Sequence, residues 1–254
     1  MVANFVYEDS IVTKIWGKSD TVLFIFAGAA AEFALNKAVD WLYFTGRLPA
    51  DPLGRLFSTV AYARRIIFSD QEAALKAIDQ ITSIHKEVEK NRNAQIPDWA
   101  YRDVLFLLID YSIRSFELLE RKLTEQEKAE VFDVFYRVGL RMELRGLPVN
   151  FIEWNKMRQE HLQQNLICSE FTIDLYSKYK KSLGPVRYRI LKQVQFMLVP
   201  AKVKELLSLG KTPWFTPVLT FYKILRGLKL EQSFKNVLLP AAYKAQISNL
   251  DVCS

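Results

Sequence analysis

The chain reads as an all-α protein of about ten helices, and three observations predict it. Helix-start signals recur along its whole length. Gly and Pro fall between apolar-periodic stretches, where helices end. No Asn-Gly hairpin signal and no run of period-2 alternation appears in the sequence. The composition agrees, because a half-hydrophobic chain of 254 residues can bury a large core and is too apolar for disorder.

The elements follow in order. The run from Thr21 to Leu35 is the most apolar in the sequence. It is shorter than the roughly 20 residues of a membrane span and carries Glu32, so it is expected to be a buried helix. Asp51-Pro52 reads as N-cap and first helical residue, because proline's fixed φ suits that position. Ser69-Asp70-Gln71-Glu72 has the form of a capping box before the periodic run Ala73 to Val88. Asp98, after Pro97, opens a long apolar helix to about Arg121. Thr124 to Glu127 forms a second capping box, and its helix is expected to stop near Gly146-Leu147-Pro148. Asn150 with Glu153 opens the next helix, to about His161. Another runs from Ser169 to the Gly184-Pro185 break. Segments over 187–199, 200–209 and 213–225 follow, and Pro240 is expected to start a short last helix. No linker divides the chain, so a single domain over 1–254 is predicted.

Composition excludes several functions. Cys168 and Cys253 are too few for a disulfide framework and read as free thiols of a reducing, cytoplasmic setting. His85 and His161 are the only histidines, which excludes Cys/His zinc spacing. The N-terminus carries Glu8 and Asp9 and no basic region, unlike a secretory signal. The net charge of +7 comes without a recognisable nucleic-acid module, so no nucleic-acid partner is expected. With no transmembrane span expected, the basic, aromatic-rich surface leaves a peripheral membrane contact open. Phosphate-binding glycine motifs, H-E-x-x-H and G-x-S-x-G are all absent.

Three helices carry polar residues that repay attention. After Asp51-Pro52, the residues Leu56, Val60, Ala63 and Ile67 form an apolar stripe. Arg55, Thr59 and Tyr62 share its edge, because spacings of four and three return to one face. A cation beside a hydroxyl suits an anion or an oxygen ligand, and equally a snorkelling Arg with a back-bonded Thr. On the next helix His85 falls among Ile78, Ile81 and Val88. A core imidazole and an axial metal ligand both fit that position. On the helix from Asp98, a narrow stripe holds Asp103, Asp110, Arg114, Glu117 and Arg121, with two acid-then-base pairs at i,i+4. This reads as an ion-paired stripe, or with Asp110 as a partner that orients the histidine.

The order of these stretches resembles the catalytic domain of the MpaB-type oxygenases and rubber oxygenases (latex-clearing proteins). Phe26 to Ala30 is similar to the family's Gly-rich helix start. Ala50 to Thr59 matches its A-D-P-x-G-R-x-x-x-T, the most specific stretch. Ile84 to Val88 resembles its H-x-x-V helix end. Ile109-Asp110 with Glu117, and then Gly139 to Pro148, resemble its later helices. The likeness covers about residues 20–210 and leaves 211–254 as a helical extension. It implies a globin-reminiscent α fold holding haem b, which uses dioxygen to cleave double bonds of an apolar, isoprenoid substrate. It further implies His85 as the iron ligand, with Arg55 and Thr59 lining the opposite side or supporting the haem, and Asp110 near the cofactor. The alternative is a helical protein that has lost catalysis and binds a lipid, a membrane surface or a partner.

Overall fold

The computed structural model describes residues 3–210 and 216–227, which form twelve helices and no strand. The short α1 (Ile11–Trp16) and the longer, apolar α2 (Ser19–Phe33) come first and set the core. Then come α3 (Val39–Phe44), α4 (Arg47–Ala50), α5 (Pro52–Ile67) and α6 (Gln71–Arg92). The second half holds α7 (Asp98–Leu119), α8 (Glu125–Arg141), α9 (Phe151–Gln164), α10 (Glu170–Leu198), α11 (Ala201–Leu206) and α12 (Thr216–Gly227).

The expected all-α class is what the structure shows. Most helix starts match their signals. The Asp51 carboxylate accepts from Gly54 N at 2.9 Å. Thr124 and Glu127 form the expected reciprocal box, and Asn150 accepts from Glu153 N. Three details differ. Asp70, not Ser69, caps α6 through Ala73 N, and α6 runs on to Arg92, where Asn93 ends it with a positive φ. Helix α8 stops at Arg141, and residues 142–150 make an irregular turn before α9. The expected break at Gly184-Pro185 is present: α10 is two helical segments joined at a kink, where Gly184 leaves helical geometry at φ 72°. Glycine takes that backbone angle without the penalty a Cβ brings. The helix expected at Pro240, Cys253 and the Leu56 side chain lie outside the described residues.

Helix α2 is buried along nearly all of its length and lies against α7, which is buried over most of its own. Gly28 makes this crossing close. A Cβ there would lie 2.3 Å from Tyr111 Cδ1. The remaining helices cover this pair. Helices α1, α5 and α10 pack on α2, and α8 and α9 pack on α7, with α6 lying outside on α5 and α8. The fully buried Trp16 pins α1 to the centre, donating to Ser112 Oγ at 3.1 Å and packing its ring on Phe26 and Phe135. Among the described residues no helix is long and apolar enough to cross a membrane.

Candidate functional site

Two polar constellations emerge, and they lie in different parts of the fold. The first is the one expected from sequence. On α5, one helical turn brings Arg55 beside its neighbours. Its Nη1 donates to Ser58 Oγ at 3.0 Å and to Thr59 Oγ1 at 2.9 Å. Both hydroxyls in turn donate back to the Arg55 carbonyl. The Arg55 Nε and Nη2 groups have no hydrogen bond among the described residues. Helix α6 packs on α5 and brings His85 into the electrostatic reach of Arg55.

His85 sits at the core rim and not within the core. Ala74, Ala77 and Ile78 are buried on the same helix, while Ile81, His85 and Val88 are half-buried. The helix turns gradually out of the molecule along this face, so its C-terminal half presents the face partly to solvent. The imidazole packs edge-on against the Tyr101 ring, with centroids 5.1 Å apart. Tyr101 is held by its hydroxyl, which donates to Glu89 Oε1 at 3.2 Å. His85 Nδ1 is buried without a hydrogen-bond partner. Burial, helped by the Arg55 charge, pushes its pKa down to about 4 against the opposing pull of Glu89. The ring is therefore neutral at physiological pH, with a nitrogen lone pair to offer.

Asp110 does not join this group. It belongs to the second constellation, which the sequence reading missed as a unit. Here Arg158 of α9 meets Glu32 of α2 and Asp110 of α7 in a buried fork. Its Nη2 donates to Glu32 Oε2 at 2.6 Å and to Asp110 Oδ2 at 2.8 Å, its Nε donates to Asp110 Oδ2 at 3.1 Å, and its Nη1 donates to Glu32 Oε1. The Tyr111 hydroxyl donates to Glu32 at 2.8 Å. Arg114, one turn beyond Asp110, supplies the i,i+4 pair read from sequence. The second expected pair is not made: Glu117 pairs with Lys122 and Lys128, and Arg121 with Glu127.

One turn along α9, His161 lies between two carboxylates. Its Nε2 is 2.9 Å from Glu32 Oε1 and its Nδ1 is 2.5 Å from Asp103 Oδ1. A neutral imidazole can donate from only one nitrogen, so this geometry demands the doubly protonated ring. Burial opposes the charge, but the two carboxylates prevail and raise the His161 pKa. Glu32 shows the same balance. Burial would raise its pKa, yet Arg158 and His161 together hold it down at about 2. Asn36 and Asn165 close the network by donating to Asp103 Oδ2 at 3.0 and 2.9 Å. Counting Arg114, three cations balance three carboxylates. Cys168 is exposed while His161 is buried, so these two do not form a nucleophile pair. The signal in the sequence was Glu32, a charge inside an apolar helix that calls for a partner.

Comparison with known proteins decides the family. The family model described as ER-bound oxygenase mpaB/B'/Rubber oxygenase, catalytic domain, matches residues 14–227. The chain belongs to this family. No match was found among curated proteins or among solved structures. The mpaB/rubber-oxygenase match runs from α1 to the end of α12 and so takes in both constellations. It supports an oxygenase role for the chain and bears out the resemblance read from the ordered motifs.

Proposed function

We propose that this member of the mpaB/rubber-oxygenase family is a haem b-dependent oxygenase acting on an apolar, isoprenoid-type substrate, with His85 as the residue that would hold the iron. One observation carries this reading: a neutral, half-buried imidazole whose Nδ1 has no partner, on a helix packed against α5 and near enough to Arg55 to feel its charge. A buried polar atom without a partner is uncommon in folded proteins and calls for an explanation, and a ligand contact is one. The donor chemistry fits iron, because neutral imidazole is the form that binds it.

When bound, the haem supplies the redox chemistry of dioxygen. The chain's own residues do the rest. Tyr101, fixed through Glu89, limits how the His85 ring can rotate. Ser58 and Thr59 hold one edge of the Arg55 guanidinium and leave Nε and Nη2 to face a ligand. A preoriented cation of this kind stabilises negative charge developing beside it. The α5 and α6 faces supply apolar neighbours, including the half-buried Ile81 and Val88, suited to a hydrocarbon chain.

The test is optical. The full chain, purified from cells supplied with haem precursor, is expected to show a Soret band that shifts or disappears in His85→Ala while the helical circular-dichroism signal persists. A protein that folds without a Soret band, or one whose band ignores His85→Ala, overturns the reading. A co-purified lipid without haem would then favour a binding protein.

A further inference from the structure

Helix α10 carries a basic surface that the oxygenase reading leaves unused. Between Asp174 and Glu205 the chain has no acidic residue and eight basic ones, six of them on α10. Lys180 and Lys181 are exposed just before the kink at Gly184, and Arg189 is exposed just after it. Lys178 is paired with Asp174 earlier in the helix, but Lys180, Lys181 and Arg189 have no acidic partner among the described residues.

The same kink exposes apolar surface. Val186 is 68% exposed, and Pro185 beside it is exposed too. Apart from its own helix and chain neighbours, nothing lies within 4 Å of where a Gly184 Cβ would stand, so the bend is open on that side. Its inner side is anchored, because Leu175, Tyr179 and Leu183 pack with Ala30, Leu48 and Leu53 in one buried cluster. The bend is therefore a fixed apolar tip with cations on both flanks. Cations alone would suit any polyanion. An exposed aliphatic tip between them suits a lipid surface, where headgroups take the charges and the acyl boundary takes the apolar side chain. Nucleic acid offers no matching apolar layer. Tyr188, just beyond Val186, is half-buried and packs edge-on against Tyr176, so it is not presented for base stacking.

We infer that the kink of α10 is a peripheral docking surface for anionic membranes, with Pro185 and Val186 entering the headgroup boundary and Lys180, Lys181 and Arg189 meeting the lipid anions. Leu48 and Leu53 share the cluster under the kink and lead along α4 and α5 to Arg55. Docking would hold that end of α5 near the bilayer, the phase in which an apolar substrate dissolves. The inference depends neither on haem nor on His85.

The experiment is cosedimentation of the full chain with extruded vesicles. Vesicles of phosphatidylcholine are compared with vesicles in which about a third of the lipid is phosphatidylserine. Binding is expected to the anionic vesicles alone, and it should weaken as salt rises from about 0.1 to about 0.5 M, where screening shortens the reach of each charge. Lys180→Gln, Lys181→Gln and Arg189→Gln combined are expected to weaken it roughly 100-fold. Val186→Ser is expected to weaken it roughly threefold to tenfold while keeping its salt dependence. All four are exposed positions, and an unchanged circular-dichroism melt shows that the fold is intact. The control replaces three exposed lysines elsewhere, Lys14, Lys90 and Lys156, with Gln and so carries the same net charge. It is expected to bind nearly as the parent does. Equal loss in the two triple variants shows an effect of net charge alone and overturns the inference, as does binding to both vesicle types alike or to neither. A chain that passes over anionic vesicles but binds polyuridylate through the same three cations overturns it in favour of nucleic acid. Every outcome is read without haem, so none bears on the His85 reading.

Discussion

The difference between a buried charge and a rim charge is clearest at Arg158. Its side chain is 1% exposed, and it is the guanidinium that holds both Glu32 and Asp110. Removing it leaves two carboxylates facing one another inside the protein with His161 and Arg114 as their remaining cations. Breaking a buried pair from one side is far more costly than the pair's net worth, because the abandoned charge remains desolvated. Arg158→Met is therefore expected to destabilise the fold by roughly 3–5 kcal/mol in urea denaturation. Arg114 offers the control. It contacts Asp110 from the rim with 37% of its side chain exposed, so Arg114→Gln is expected to cost less than about 1 kcal/mol. Equal effects from the two substitutions would show that the fork is not what stabilises this junction.

Among the elements, the α2–α7 crossing depends on one missing methyl group. Gly28→Ala improves helix propensity by about 1 kcal/mol. The new Cβ, however, would fall 2.3 and 2.5 Å from two Tyr111 ring atoms, where no real Cβ sits. The Tyr111 ring would have to move, and its bond to Glu32 would move with it. A net loss of about 1–3 kcal/mol is expected from overpacking, read as a lower thermal midpoint, and a gain in stability would contradict the close crossing. The same scale explains what sequence could and could not reveal. Caps act within three or four residues, so the starts of α5, α8 and α9 were legible from Asp51, Thr124 and Asn150. The Arg55–Thr59 pair was legible for the same reason, being one turn of one helix. Glu32 and Arg158 are 126 residues apart, and no local pattern announces their meeting. The polar stripe of α7 was visible, but whether Asp110 turned towards His85 or towards α9 depended on helix packing. The break at Gly184-Pro185, by contrast, is local in origin and was legible, and the two halves of α10 meet there at a kink.

For the whole molecule, the buried network makes stability depend on pH in a defined direction. His161 has a folded pKa raised above its ordinary value of 6.5, through bonds to Asp103 and Glu32 that outweigh burial. Its contribution is therefore fully present below about pH 6.5 and is lost as pH rises through the folded value. Glu32 runs the other way. Its folded pKa of about 2 against an ordinary 4.5 gives stability that is present above 4.5 and lost as pH falls towards 2. The acid limb is shared with Asp79 and Glu127, whose arginine partners also hold them below the carboxylate range. The alkaline limb is more specific, because lysines such as Lys76 and Lys128 are held above their ordinary 10.5 by their glutamate partners. His85 is the other imidazole in the chain, so a His85→Gln background leaves His161 as the one histidine that titrates. On that background the urea midpoint is expected to decline from about pH 6.5 upward. Adding His161→Gln should lower stability at pH 6 and flatten the decline, since the carboxylates on either side would then face a neutral group at every pH. A decline that persists unchanged without His161 would mean that the alkaline sensitivity arises elsewhere, and that the ring between Glu32 and Asp103 carries no charge.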